Sequence, residues 1–446
     1  DYLIKIKKLG FKFPSLRIST DYSNDNLTAA KQLRLLFNMK SRIPKERRVI
    51  WDFSVLPEST NLSRNDVREL LAYSENDLHR LCQEGWLLYE RGQGFYIHPL
   101  VREATLLGLR QGKAPKQTVS HLRALVCENT LISEYDTQAD IMRKLHIVET
   151  ATNYIAFKSK EESSVFYYHL GIIEFKAARK RLTSIMYLEK ALRDSYTLEL
   201  TAHIRYQLGY IKSATHQFRD KAKDDLQAAL DIWQSLEGCA YEIAMTHDHL
   251  GYVLIDSELT YDSSKYHLTK AMEMRKSFVE SDPTSTTLSA YATTCDNLGY
   301  LLYKSGDETG AARRYLEEAL SIREKLYETS EQYATDVAWT AFNLGQLLSV
   351  DPQYCEEAEI YFRKSLEIRR DLEQQHPQIY TTNIAFTLVS LAKIVATNTK
   401  RLNEVKQLFD EAVALKSDID SDHIGFFSDD IERDIKILSE LLSHQN

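Results

Sequence analysis

One frame recurs six times between Leu170 and Ala412: a leucine with a small residue, then three apolar or small side chains thirteen, seventeen and twenty positions after the small one. It reads Leu170-Gly171 with Ser184, Leu188 and Ala191; Leu208-Gly209 with Ala222, Leu226 and Ala229; and Leu250-Gly251 with Ser264, Leu268 and Ala271. It continues as Leu298-Gly299 with Ala312, Leu316 and Ala319; Leu344-Gly345 with Ala358, Phe362 and Ser365; and Leu391-Ala392 with Val405, Phe409 and Ala412. The last two offsets follow the first by four and three, so the three residues share one face of a second helix while the leucine pair lies on a first. Each unit is a helical hairpin whose apolar face one hairpin alone cannot bury, so the units must stack.

A glycine inside a helix costs roughly 1 kcal/mol relative to alanine, so five at one register position call for a packing reason. Close approach of the second helix supplies it, completed by Ala or Ser in the middle of that helix. The frame resembles the tetratricopeptide repeat, which implies a right-handed superhelix of about six units over residues 161–446. The periods of 38, 42, 48, 46 and 47 exceed the roughly 34 residues of the basic repeat. Extra length after the second helix, as at Leu320 to Glu328 and Leu366 to Glu373, resembles the long-helix repeats of the kinesin light chain type.

At 446 residues the chain is expected to hold more than one domain, mostly all-α. No run approaches about 18 apolar residues and no signal peptide opens the chain; the reading is cytoplasmic, with no membrane. The absence of an initiator Met before Asp1 suggests a piece of a longer polypeptide. Cys82, Cys127, Cys239, Cys295 and Cys355 have no CxxC spacing and read as buried thiols of a reducing compartment. Residues 1–115 hold 19 Lys and Arg against 13 Asp and Glu, leaving the remainder a net −14, which marks a domain border.

The N-terminal part departs from the frame. A stretch 1–25 reads as a linker from an absent upstream domain. Helices are expected over about Leu27–Met39 and Lys45–Leu56, then from Arg64 to Leu71 capped by Ser63, and from Ser74 with Asp77 three residues on. Trp86 to Glu90, a turn at Arg91-Gly-Gln-Gly94, and Phe95 to His98 form a hairpin whose glycines suit positive φ. Pro99 fits the first turn of one more helix. Helices followed by a two-stranded wing make a winged-helix domain over 26–112, with a helical connector at 113–160 that packs it onto the first repeat. The helix before the wing, Glu75 to Glu84, carries three carboxylates against one arginine, so phosphate repulsion argues against nucleic acid. The basic run Lys40, Arg42, Lys45, Arg47, Arg48 reads as a solvated helix face.

Phe95-Tyr-Ile-His-Pro-Leu-Val-Arg-Glu-Ala104 resembles the Met-His-Asp motif that closes the winged helix of STAND ATPases, in particular their NB-ARC branch. Ile50 to Pro57 is similar to the opening of that domain, and Asp77 to Leu88 to its turn into the wing. The resemblance covers about residues 27–110. It implies that His98 contacts the β-phosphate of ADP bound by an upstream nucleotide-binding domain, through a charge-assisted hydrogen bond. Pro99 stands where many relatives have Asp, and a plain helix-capping role for His98 is the competing reading. The chain has no GxxxxGK[ST], so it is not an enzyme by itself and binds no cofactor alone; ADP or ATP would come with the upstream domain. His247 and His249 diverge by about 200° of helix rotation and cannot share a metal.

A ligand is expected along the first helices. Just before each Leu-Gly pair runs a polar row, His169, Gln207, His249, Asn297, Asn343 and Ser390, flanked by Tyr168, Tyr206, Tyr210, Asp248, Tyr252, Asp296, Tyr300, Tyr303 and Phe342. Amides there could bond an extended peptide, with Asn297 and Asn343 foremost, and tyrosines give rigid contact area. The same residues could instead tie neighbouring helices together. The resemblance implies the sensing half of a STAND protein: repeats bind a protein trigger, the winged helix leaves ADP, and an oligomer forms in defence or signalling. A peptide-binding adaptor with no nucleotide role is the alternative.

Overall fold

The computed structural model describes residues 42–57, 61–109, 116–133, 136–153, 157–178, 180–214, 218–306, 309–375, 379–397, 401–416 and 428–443. The expected linker at 1–25 and the helix at Leu27–Met39 lie outside them. Contacts divide the chain into two compact units, Asp1–Tyr196 and Thr197–Asn446.

In the first unit α1 (Pro44–Ser54), α2 (Arg64–Leu71) and α3 (Glu75–Gln83) precede an antiparallel hairpin, β1 (Leu87–Glu90) with β2 (Gly94–Ile97), and α4 (Pro99–Leu109). Helix α2 starts where expected because Ser63 and Asp66 form a reciprocal capping box, and Asp77 accepts the Ser74 N–H at 2.9 Å at the start of α3. The register pairs Leu87 with Ile97 and Glu90 with Gly94. Gly94 has φ 107°, and a Cβ there would lie 2.2 Å from the Leu62 carbonyl oxygen, because Leu62 bridges Phe95 and extends the hairpin by one strand residue. Val49, Ile50, Phe53, Leu78, Leu81, Leu87 and Val101 form the buried centre.

The basic run is not a purely solvated face. Arg42 pairs with Glu84, Lys45 with Asp77, and Arg80 with Glu46 at 3.4 Å, so α1 and the acidic α3 neutralise one another. Helices α5 (Lys116–Cys127) and α6 (Gln138–Thr152) follow, and then the first hairpin of the frame, α7 (Lys160–Ala178) with α8 (Arg181–Asp194). Contacts group this hairpin with what precedes it rather than dividing the chain at residue 160. Arg123 of α5 donates to Glu162 of α7 at 3.1 Å, and Lys180 lies 3.7 Å from both Glu149 of α6 and Glu174 of α7.

Glu174 is fully buried, and neither carboxylate oxygen has a hydrogen-bond partner. Burial raises its pKa from 4.5 to about 7; Glu149 adds to the rise and Lys180 opposes it. An acid whose folded pKa lies above its unfolded value stabilises the fold only while protonated. That stabilisation is complete below the unfolded value and lost as pH rises through about 7. Asp52, buried and raised to about 7 despite the Tyr73 hydroxyl and Arg48, acts in the same direction. Urea denaturation of the first unit is expected to show less stability at pH 8 than at pH 5, and Glu174→Gln to flatten part of that slope. A slope unchanged by Glu174→Gln would contradict this assignment.

In the second unit five hairpins follow: α9 (Leu198–Ser213) with α10 (Arg219–Ser235), α11 (Ala240–Val253) with α12 (Tyr261–Ser281), α13 (Ser285–Ser305) with α14 (Thr309–Thr329), α15 (Ala334–Leu348) with α16 (Cys355–Gln375), and α17 (Thr381–Val395) with α18 (Leu402–Lys416). A last helix, α19 (Ser428–Ser443), packs on α17 and α18. The glycines meet the second helices as the frame requires: a Cβ on Gly209 or Gly251 would lie 2.5 Å from Cγ of Leu226 or Leu268. Where the residue thirteen on is serine, its hydroxyl donates to the glycine carbonyl, Ser264 to Gly251 at 2.7 Å and, in the first unit, Ser184 to Gly171 at 2.7 Å. Nearly all frame residues are fully buried; Phe409 is only half-buried. Successive first helices, α9 to α11, α11 to α13 and α13 to α15, pack more closely than successive second helices do, which puts the first helices on the inner side of this stack.

Among the described residues no helix is long and apolar enough to cross a membrane. All five cysteines are free; only Cys295 is buried and the other four are half-buried, because they lie toward helix ends rather than on the glycine-facing stripe.

Candidate functional site

The polar row is drawn into contacts between hairpins. Counting from the frame glycine, the residue three before it in one unit meets the residue two before it in the next. Asn297 donates its amide to Asp248 at 3.2 Å and Asn343 to Asp296 at 3.0 Å, with all four buried. One unit earlier the same pair of positions holds Tyr206 and His249, whose hydroxyl and Nδ1 are 2.5 Å apart. Burial holds His249 down to about 4 and the Tyr206 phenol well above its usual range. At these two levels the expected peptide-binding amides therefore each hold a neighbouring carboxylate.

An arginine twenty-four residues after the glycine completes each level. Arg275 stands 3.3 Å from Asp248 and donates to the Ala290 carbonyl and the Thr294 hydroxyl, both at 2.7 Å. Arg323 stands 3.5 Å from Asp296 and donates to Thr340 and to the Asp336 carbonyl at 3.3 Å. Arg369 donates to Thr387 and to the Asn383 carbonyl at 3.0 Å. The acceptor threonines share a register too, five residues before the frame position of the next unit. These arginines sit in the distal third of second helices that run 21 residues, against 17 in α10. The long periods thus exist to carry a cation across to the next hairpin. Burial raises the Asp296 carboxyl, opposed by the charge of Arg323 and by the Thr340 and Asn343 hydrogen bonds.

Residues 292–330 match the model of the tetratricopeptide repeat family. The chain is a helical-repeat protein of the tetratricopeptide type. Its backbone is similar to the apo form of RapI, with 18% identity over 76% of this chain and 92% of that one at a TM-score of 0.42. It is also similar to the Rap conjugation gene regulator of plasmid pLS20 in complex with the Phr* peptide, with 14% identity over 76% and 94% at 0.43. A circular tandem repeat protein overlaps 94% of this chain and 100% of its own at a TM-score of 0.26 and 14% identity. No curated protein matches it.

Other row members of these tetratricopeptide-type repeats are less enclosed. Tyr210 is 40% exposed, and Tyr252, Tyr300 and Tyr303 are half-buried. Tyr210, Tyr252 and Tyr300 each follow a frame glycine directly, one helical turn beyond the inter-hairpin contacts. Arg219 belongs to the same cluster: burial lowers its pKa to about 10, and the Tyr252 and Tyr300 phenols pull it back up. Tyr210 also lies against His249, ring centroids 5.0 Å apart, and Tyr300 against Tyr303 at 6.2 Å. Gln207 and Ser390 are half-buried, and Phe342 is buried in the core. In the first unit Tyr168 and His169 are half-buried with rings 5.2 Å apart; burial raises the phenol and lowers the imidazole.

His247 and His249 go to different partners, His247 facing His267 with Nδ1 atoms 2.8 Å apart. His98 is 4% exposed. Its carbonyl accepts the Arg102 N–H at 3.0 Å and so opens α4, and burial lowers its imidazole pKa. The arginines and threonines of the inter-hairpin levels escaped the sequence reading, although extending the frame to offsets of twenty-four and minus five would have exposed them.

Proposed function

We propose that the repeats of the second unit form a docking scaffold for a protein or peptide, engaged along the inner side of the first helices at the level of Tyr210, Tyr252 and Tyr300 with Arg219. The observation that carries this reading is the split within the row. Asn297 and Asn343 are occupied by Asp248 and Asp296, while the tyrosines one turn on retain accessible surface. Rigid aromatic rings with a polar tip beside a cation are chemistry that favours binding over catalysis. A photo-crosslinking phenylalanine at position 252 or 300 is expected to capture a discrete partner in the native cell, and one at Tyr266 or Ile360, exposed on second helices, is not. Equal capture from both faces would contradict the assignment.

The order three helices, hairpin, helix in the first unit supports a finer reading, a winged helix that closes a STAND-type nucleotide-binding domain, with the repeats as its protein-trigger sensor. In that reading His98 sits at the junction from which it would reach ADP, and release would lead to an active oligomer. In a longer polypeptide bearing a phosphate loop, His98→Ala is expected to lose bound ADP and to signal without trigger. Retention of ADP by His98→Ala would remove this reading and leave the adaptor.

A further inference from the structure

We propose that the level between the fifth and sixth hairpins is a carboxylate-binding point, where Arg369 takes an acidic side chain of the docked peptide. The inference rests on the docking reading and adds the chemistry of what is docked. It starts from a break in an otherwise regular series. At the two preceding levels the buried arginine faces a carboxylate from its own first helix, Arg275 with Asp248 and Arg323 with Asp296. In the fifth unit that register holds Phe342.

The arginine itself has not changed. Arg369 is 2% exposed and keeps both contacts to the following helix that its counterparts make, a backbone carbonyl and a threonine hydroxyl. What has changed is its counter-ion: its remaining partners are the faces of Phe342 and Trp339, 4.9 and 5.8 Å from its central carbon, and no carboxylate is among its partners within the described residues. An aromatic face compensates a buried cation less than a hydrogen-bonded carboxylate does. Burial accordingly lowers the Arg369 pKa to about 9.

The partner register changes in concert. Where the other two levels place Asn297 and Asn343 to donate to the aspartate, the sixth unit has Ser390, shorter and half-buried. Loss of the acceptor and shortening of the donor at the same level leave a guanidinium, a hydroxyl and two aromatic rings around the place a carboxylate holds elsewhere. A glutamate or aspartate of a peptide on the inner side of the stack would restore the missing charge.

The test uses the whole chain and two fluorescein-labelled octapeptides, one alternating Glu with Leu and one alternating Gln with Leu. The Glu peptide is expected to bind at least tenfold more tightly. The difference should fall below twofold in Arg369→Gln and in Phe342→Asp, which supplies the carboxylate from within, each checked for folding by circular dichroism. Binding of the Glu peptide should also change tryptophan emission in the unmodified chain, and the conservative Trp339→Phe should remove that change. Equal affinity for the two peptides overturns the carboxylate point while leaving the docking scaffold standing. A preference that persists in a folded variant, or an emission change that survives Trp339→Phe, overturns it as well. Binding of neither peptide overturns it too, and the crosslinking above then decides separately whether the inner face docks anything.

Discussion

Arg323→Met is expected to destabilise the second unit by about 3–5 kcal/mol, the range for removing one partner of a buried ion pair. The size follows from what remains. Asp296 is 2% exposed; without the guanidinium it keeps the Asn343 amide in surroundings that already raise its pKa. The Asp336 carbonyl and the Thr293 and Thr340 hydroxyls lose a donor at the same time. A stranded carboxylate escapes part of the penalty by taking a proton, so the deficit of the variant should shrink as pH falls. Adding Asp296→Leu should recover most of the loss, because an apolar pair leaves no uncompensated charge. Urea midpoints at constant slope measure all three proteins. A single-variant loss below about 1 kcal/mol would mean that the pair is solvated like a surface bridge.

Gly299→Val is expected to cost about 3 kcal/mol, the upper end of the range for overpacking. Even a lone Cβ at this position lies 2.6 Å from Cγ of Leu316 and 3.0 Å from the Ala312 carbonyl oxygen, and neither is the free end of a flexible chain. The clash outweighs the gain in helix propensity of up to about 1 kcal/mol over glycine. Gly310 provides the contrast, since a Cβ there meets nothing within 4 Å. Gly310→Ala is expected to stabilise by about 0.4–1 kcal/mol, chiefly by restricting the unfolded chain. Thermal denaturation of the two variants checks both signs, and a Gly299→Val protein as stable as the parent would refute close approach as the reason for the glycines.

How much of this was legible depends on whether a feature repeats locally. The glycine and its partners at offsets thirteen, seventeen and twenty lie within one hairpin, and their pattern fixed the helices and the buried stripe before any coordinates. The capping boxes at Ser63 and Thr137 and the glycine turn of the hairpin were local as well. The ties between units were not, because Asn297 and Asp248 are 49 residues apart and their pairing needs the stack itself. The same holds for Arg42 with Glu84 and Lys45 with Asp77, which turned a basic run into half of an ion-pair network. Reading each polar residue against its own helix placed Asn343 toward a ligand. Reading it against the neighbouring helix places it on Asp296.

A double-mutant cycle on Asp296 and Asn343 measures that tie most directly. Asp296→Ala, Asn343→Ala and the pair of changes together, followed by urea denaturation, give the coupling free energy between residues 47 positions apart. A buried charge-assisted hydrogen bond predicts coupling of about 1–3 kcal/mol. Additivity within about 0.5 kcal/mol would contradict it and return Asn343 to the ligand.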